Sequence, residues 1–288
     1  MSTVTKIKGV IDNPNLPVIT DEGLQPYHYG VFVNNLSEQD YVMNSRQKVA
    51  VKMFLDYLMD NELLDYIQTI YPFICSQENV NGAKVPLIGN ALLDFNSSFN
   101  SFDVRGGEII GITGMPAVSS LKLSDVQPND FVGCAISFNK TATTDSGNWN
   151  NVIAGFNSTE EIYAFKYQNN KVIIKARNNA DTLIGYQATD SLDKSGAGSV
   201  YMLACFGDGK CCRYAKTNNS SSLASGSTAS PVAMTESDMN ATLQATASWS
   251  KVQTLTSMTF FKRMLTKEQA KAYMTGLEAF MTALGRNA

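Results

Sequence analysis

The sequence predicts a mainly β protein, an antiparallel sandwich of short strands with a few flanking helices. Beyond residue 85 strand-like runs follow one another for about 180 residues, separated by Asn, Asp, Gly and Ser. Helical periodicity is confined to 45–71 and 266–284. At 288 residues and 44% hydrophobic content, the chain can fill the core of one such domain.

The first 44 residues predict an extended N-terminal arm. Pro14, Pro17 and Pro26 interrupt the segment, and it shows neither a helical nor a strand period. Its aromatic residues include Tyr27, Tyr29, Phe32 and Tyr41. Because an arm cannot bury its own rings, we expect these to lie against the chain's own body or a neighbouring subunit, and we take 1–44 as a docking element. A flexible leader is the alternative.

A helical hairpin is expected over 45–74. Apolar residues recur there at three- and four-residue spacing, while charged residues occupy the other faces. The first helix contains Val49, Val51, Phe54, Leu55, Leu58 and Met59. A second helix, with Leu63, Leu64, Ile67 and Ile70, is expected to end at Pro72, because proline removes a backbone donor.

The remaining chain, 75–288, is expected to form the β domain and its closing helix. Strands are predicted at 131–138, 151–156, 161–167, 171–177, 182–188, 199–207 and 253–264. Asn169 and Asn170 fit a tight turn between two of them. The uncharged run 217–231 is expected to be a surface loop. Thr266 and Gln269 form a capping box that predicts a helix over 266–284.

The sequence favours a non-enzymatic protein. His28 is the single histidine, so a hydrolase triad would need that residue to reach a nucleophile. Acidic residues show no paired arrangement for glycoside hydrolysis, since Glu160 and Glu161 are adjacent and Glu108 is isolated. We expect no catalytic residue, no metal ligand and no cofactor. Calcium alone stays open, because loop aspartates at 145, 181, 190 and 193 have Asn and Ser oxygens nearby.

Charge, cysteine content and hydropathy restrict the partners. The net charge is −3, with 23 Lys and Arg against 26 Asp and Glu, which argues against nucleic acid. No apolar run is long enough to span a membrane, and no leader is recognised at the start of the sequence. The five cysteines lack paired spacing, so we expect reduced thiols and synthesis in a reducing cytosol.

One loop offers a ligand-binding signal. Trp149 stands between Asn148 and Asn150, so an aromatic face for a sugar ring has amide groups beside it for the hydroxyls. A tryptophan that only covers the rim of the sandwich is the alternative. The sequence therefore predicts a weak glycan site at these three residues.

Two segments resemble a known family. Residues 258–270, MTFFKRMLTKEQA, are similar to the closing strand and helix of laminin-G-like, concanavalin A-like jelly rolls. Residues 63–73, LLDYIQTIYPF, resemble the helical hairpin that precedes this jelly roll in virion proteins of crAss-like tailed phages that infect gut bacteria of the Bacteroidales type. The likeness covers about 45–288, and its first strand would include 91–95. No binding residue is carried over from it.

The resemblance implies a phage structural protein: a head fibre, capsid decoration or tail fibre with its jelly roll displayed outward. Its partners would be other virion proteins of the capsid or tail, and host surface glycans would be weakly bound. Its location would be the virion, after synthesis in the host bacterial cytoplasm. Because linked weak sites reinforce one another, we expect a homo-oligomer, a trimer. A soluble lectin or carbohydrate-binding module is the alternative, followed by a glycoside hydrolase on the same fold.

Overall fold

The computed structural model describes 27–95, 99–103, 106–109, 114–122, 132–140, 152–156, 163–168, 171–176, 188–191, 198–207, 210–217, 221–227, 240–245 and 253–287. The helices are α1 (Tyr27–Glu38), α2 (Ser45–Asp60) and α3 (Lys267–Leu284). Single 3-10 turns occupy Leu64–Tyr66 and Asn81–Lys84.

Fifteen strands are present among the described residues. They are β1 (Ile67–Tyr71), β2 (Leu93–Phe95), β3 (Phe99–Asp103), β4 (Gly106–Ile109), β5 (Gly114–Lys122), β6 (Val132–Lys140), β7 (Val152–Phe156), β8 (Tyr163–Gln168), β9 (Lys171–Ala176), β10 (Ala188–Ser191), β11 (Gly198–Gly207), β12 (Lys210–Lys216), β13 (Ser221–Ser227), β14 (Asn240–Ala245) and β15 (Gln253–Phe261).

These strands form antiparallel sheets, which confirms the mainly β prediction. The largest sheet has eight strands in the order β13-β12-β11-β6-β15-β4-β3, and β1 pairs with the second half of β15, beside Met258–Phe261. A four-stranded sheet runs β2-β5-β14-β7, and a three-stranded one runs β10-β9-β8. The pairing of Gln168 with Lys171 brackets the predicted Asn169-Asn170 turn, whose two residues lie outside the described ranges.

The central strands of the large sheet are buried on both faces. Along β11, Val200 to Cys205 are all buried, and along β6 so are Cys134 to Phe138. Alternate residues such as Leu203 and Cys205 pack into the cluster that includes the helices, so their neighbours occupy the opposite face. Burial on both faces explains why these strands have continuous apolar sequences rather than alternating ones.

A helical layer covers one face of the large sheet. Phe54 on α2 stacks on Phe280 of α3, with ring centroids 4.6 Å apart, and Tyr273 packs edge-on against Phe261 of β15. Gly276 allows this approach, because a Cβ there would lie 2.4 Å from the Tyr57 ring. The helices and sheet therefore share one hydrophobic core.

The expectation of an extended arm is wrong for 27–44. Residues 27–38 form α1, which places Tyr29, Phe32 and Leu36 in the shared core. The three lie at helical spacing. The pattern is short and starts directly after Pro26, so sequence reasoning assigned it to the irregular segment that precedes it. Residues 1–26 lie outside the described ranges.

The second helix of the expected hairpin is also absent. Ile67–Tyr71 form β1, whose register against β15 pairs Ile70 with Thr259 and Tyr71 with Met258. The apolar residues of this segment have a spacing that fits a helix, yet they include the isoleucines and tyrosines that favour strands. The segment forms a strand because the edge of β15 is available for pairing, and this pairing provides hydrogen-bond partners for the backbone N–H and C=O groups.

The expected loop 217–231 contains a strand. Residues 221–227 pair with β12 in seven successive register positions, from Ser221 opposite Lys216 to Ser227 opposite Lys210. The residues have low strand propensity, but cross-strand pairing and the contact of Leu223 with the helical core override it.

The capping box of α3 is as predicted. The Thr266 hydroxyl accepts from the Gln269 backbone N–H at 3.1 Å, and the Gln269 side chain accepts from the Thr266 N–H at 2.9 Å. Gly285 ends the helix with φ of 75°, a conformation that glycine adopts readily.

We expect Thr266→Ala to lower the free energy of unfolding by about 1 kcal/mol, because the Gln269 backbone N–H at the start of α3 loses its acceptor. Thr275→Ala is the matched control, since that exposed hydroxyl only bonds back to the Lys271 carbonyl within the helix. Urea unfolding of both variants measures the difference. Equal stabilities would show that the box contributes nothing.

Candidate functional site

The perturbed ionisable groups of the described residues lie mostly in the core. Burial raises the pKa of Tyr273, whose hydroxyl bonds to Thr259 Oγ1 at 2.5 Å. Burial lowers the pKa of His28, and the positive charge of Lys262 lowers it further. Each shift favours the neutral form. Among the described residues no group of three or more His, Cys, Asp or Glu side chains could hold a metal ion.

The five cysteines are free and buried. Cys205 of β11 faces Cys212 of β12 in the strand register. Burial raises the pKa of Cys134 and Cys205 well above the ordinary thiol value, and it raises that of Cys212 to about 11, with neighbouring Cys211 contributing. Since the thiolate is the reactive species, these groups are chemically inert in the folded protein.

Thiol titration of the native protein at pH 8 should give almost no reaction, and titration after denaturation should give five thiols. Ser225→Cys, on the exposed part of β13, is the positive control and should add one fast thiol. Rapid labelling of the unaltered native chain would contradict this burial.

Alkaline pH should destabilise the protein. The Cys212 pKa is raised from 9.0 to about 11, so its contribution to stability is complete below pH 9 and is lost as the pH rises towards 11. Cys212→Ala should make the decline over this interval shallower. Urea midpoints at pH 8, 9, 10 and 11 measure it, and parallel declines in the two proteins would refute the assignment.

A polar cluster secures the end of the chain against the large sheet. Arg286, 2% exposed, donates to the carbonyls of Pro72 at 2.5 Å, Phe73 at 2.7 Å and Thr256 at 3.0 Å. The Tyr201 hydroxyl donates to Asn287 Oδ1. Lys216 reaches both oxygens of Glu278 at 2.6 Å. These contacts join residues 286 and 287 to the segment after β1 and to the strands β11 and β15, so we assign the cluster a structural role.

Exposed apolar side chains are concentrated in the segment that contains α1 and α2. Eight large hydrophobic side chains are exposed among the described residues, and six of them belong to this segment. We define the α1–α2 surface by these six: Tyr27, Val33, Val42, Val49, Met53 and Met59. Such a concentration of exposed apolar groups is typical of protein interaction sites.

Sequence reasoning missed this surface because it assigned Val49 and Met59 to the buried side of α2. Val49 is 57% exposed and Met53, one helical turn later, is 60% exposed. The signal was present in the helical geometry, since positions 49 and 53 lie opposite Phe54 and Leu58, which are buried. The three- and four-residue spacing of apolar residues does not by itself show which face of α2 is buried, because both faces carry apolar residues.

The predicted docking aromatics are mostly unavailable for docking. Tyr29, Phe32 and Tyr41 lie in the chain's own core, and the Tyr41 hydroxyl donates to Gln47 Oε1 at 3.0 Å. Their assignment to a docking arm is wrong. Tyr27 differs from them, since it is 79% exposed. The predicted glycan residues, Asn148, Trp149 and Asn150, lie outside the described ranges.

No family model matches the chain, and no curated protein does. Solved structures with a similar backbone include Trypanosoma rangeli sialidase (12% identity, TM-score 0.49, 81% of this chain and 39% of that chain). Others are the binding domain of Botulinum neurotoxin DC (8%, 0.49, 76% and 52%) and that of Paraclostridial Mosquitocidal Protein 1 (9%, 0.48, 74% and 52%). The chain thus spans about half or less of their lengths. Likeness at this level defines neither a family nor an activity for it.

Proposed function

We propose that the protein is a non-enzymatic structural component of a phage particle that displays a concanavalin A-like jelly roll. The observation that carries the non-enzymatic part of the proposal is the position of the perturbed groups. Most buried tyrosines and thiols with shifted pKa values lie in the packed core of the sheet and helices. Enzymes concentrate such groups in clefts, where substrate can reach them.

The packing of the helices on the large sheet also supports a role as a structural display domain. Two helices with complete capping boxes cover one face of the large sheet, and Arg286 ties the last residues to the segment after β1. No described helix has the length and hydropathy to cross a bilayer. The particle assignment itself comes from the sequence resemblance to virion proteins, although the second helix of the hairpin in that resemblance is replaced by β1.

Attachment to the particle is assigned to residues 1–26 together with Tyr27. The buried aromatics of α1 cannot take part, so the docking element is shorter than the arm that the sequence suggests. Its partners are other virion proteins of the capsid or tail.

Labelled antibody on purified particles of the phage that encodes the chain tests the proposal by electron microscopy. We expect regular labelling by the full chain and none when residues 1–26 are deleted. Tyr27→Ala should reduce labelling, whereas Val80→Ala, an exposed apolar control elsewhere, should not. Particles without the protein would refute the virion role.

A second candidate is weak glycan binding, favoured by the Asn148-Trp149-Asn150 sequence. Glycan-array binding by the full chain, lost in Trp149→Ala, would support it. Asn150→Asp keeps the ring and alters one amide, so it separates stacking from hydrogen bonding. Release of reducing sugar from a bacterial polysaccharide would instead favour the glycoside hydrolase alternative.

A further inference from the structure

The charges of α2 are arranged against its own helix dipole. The basic residues Arg46, Lys48 and Lys52 stand in the first half, and the acidic residues Asp56 and Asp60 stand in the second. A helix favours acidic groups at its N-terminus and basic groups at its C-terminus, because the N-terminal end carries partial positive charge. The first turn of α2 has no acidic residue and the last turn no basic one. This arrangement is unfavourable for the isolated helix.

Contacts within the chain offset only part of this cost. Arg46 donates from Nε to the Ala283 carbonyl at 2.7 Å, at the C-terminal end of α3. Lys52 lies over the Tyr29 ring, with 5.0 Å from Nζ to the centroid. Lys48, Asp56 and Asp60 are exposed. Between these charges the outer side carries Val49 and Met53, which are the apolar centre of the α1–α2 surface.

We propose that α2 is a two-fold self-association site, at which α2 of a second copy of this chain packs antiparallel. Antiparallel packing sets the basic half of each helix against the acidic half of the other and also opposes the two helix dipoles. With the two-fold axis beside residue 52, midway between positions 48 and 56, Lys48 lies opposite Asp56 of the second copy and the two Met53 side chains lie close to the centre. The same contact covers Val49 in both copies. Lys52 is nearest the axis, and its ammonium group is held over the Tyr29 ring of its own chain.

Charge complementarity selects two-fold over three-fold symmetry. Helices related by a three-fold axis through a parallel bundle run side by side, so Lys48 would face Lys48 and Asp56 would face Asp56. Like charges in contact are unfavourable, whereas a two-fold axis makes the patch complementary to itself. The inference therefore replaces the expected trimer with a dimer, or with a larger assembly built from dimers. It goes beyond the proposed function and does not depend on it.

The contact is modest in size. Sixteen residues of α2 give a helix about 24 Å long at about 1.5 Å per residue. A single helix pair buries less surface than a standard interface, which buries about 800 Å² per partner. We therefore expect a dissociation constant of about 1–100 μM. Salt should weaken the dimer, because its charged groups are exposed.

Sedimentation equilibrium of the full chain, from about 1 to 300 μM at low salt, tests the proposal. We expect a monomer–dimer equilibrium, weakened at least about tenfold by Asp56→Lys, which sets lysine against Lys48 of the second copy. The charge-swapped variant Lys48→Asp/Asp56→Lys should restore association. Asp56→Lys should leave the monomer folded, because the side chain of Asp56 is exposed.

Matched apolar variants complete the experiment. Met53→Asp should abolish the dimer, whereas Leu92→Asp, an exposed residue away from the helices, should leave it intact. A monomer throughout the concentration range, a trimer, or a dimer equally stable in Asp56→Lys would each overturn the proposal. Because the measurement uses purified protein without particles, its result is independent of the virion assignment.

Discussion

Replacing Arg286 with methionine is expected to lower the free energy of unfolding by about 3–5 kcal/mol. The guanidinium donates to three backbone carbonyls, those of Pro72, Phe73 and Thr256, and the side chain is almost completely buried. Methionine fills a similar volume but donates nothing. Buried acceptors that lose their donor cost about 1–3 kcal/mol each, and relaxation around the site recovers part of that sum.

The backbone beside Arg286 increases the expected loss. Phe73 has φ of 48°, a left-handed conformation that is unfavourable for a bulky side chain. Its carbonyl is held by Arg286 Nη2, so the arginine helps to maintain a segment that costs about 1–3 kcal/mol to keep in place. Removing it should release this segment and, with it, the end of β1.

Guanidinium unfolding measures the effect, and the melting temperature should fall by about 10 °C. Arg263→Met is the control, because that arginine is exposed and its loss should change stability by less than about 0.5 kcal/mol. Arg286→Lys should give an intermediate loss, since an ammonium group lacks the planar fork that reaches several carbonyls. A loss below about 1 kcal/mol for Arg286→Met would contradict the role assigned to the residue.

Much of the strand pattern could be predicted because it depends on local chemistry. The predicted run 131–138 falls on β6, and the run 199–207 falls on β11. The α3 helix begins where Thr266 and Gln269 form their capping box. Such signals lie within a few residues of one another, so they can be found without knowledge of the fold.

The errors arise where tertiary contacts decide the structure, and most of these contacts join residues that are distant in sequence. Residues 67–71 become a strand because β15 offers a place to pair, and 221–227 do so because β12 does. The buried role of Phe32 depends on the core beneath α1, and the exposure of Val49 depends on which side of α2 that core covers. β12 directly precedes 221–227 along the chain, but the low strand propensity of that serine-rich run hides the pairing. The other partners are far away in sequence, so propensity and spacing cannot identify them.

Deleting residues 1–40 is expected to abolish cooperative folding. The deletion removes three buried core residues of α1, namely Tyr29, Phe32 and Leu36. Burial of each such side chain stabilises by about 1.5–3 kcal/mol, and the loss of all three approaches the total stability of a typical domain, about 5–15 kcal/mol. The deletion also exposes the apolar surface that α1 covers, so the shortened protein should aggregate.

Deleting residues 1–26 is the matched control, because it keeps α1 with its buried residues Tyr29, Phe32 and Leu36. Circular dichroism during heating should show a cooperative transition for this shorter deletion and none for the longer one. Phe32→Ala in the full chain gives a graded version, with an expected loss of about 3–5 kcal/mol from the cavity. If the protein lacking 1–40 melts cooperatively at the temperature of the full chain, α1 contributes nothing to the core. The docking role of the aromatic residues 29, 32 and 41 would then become tenable again.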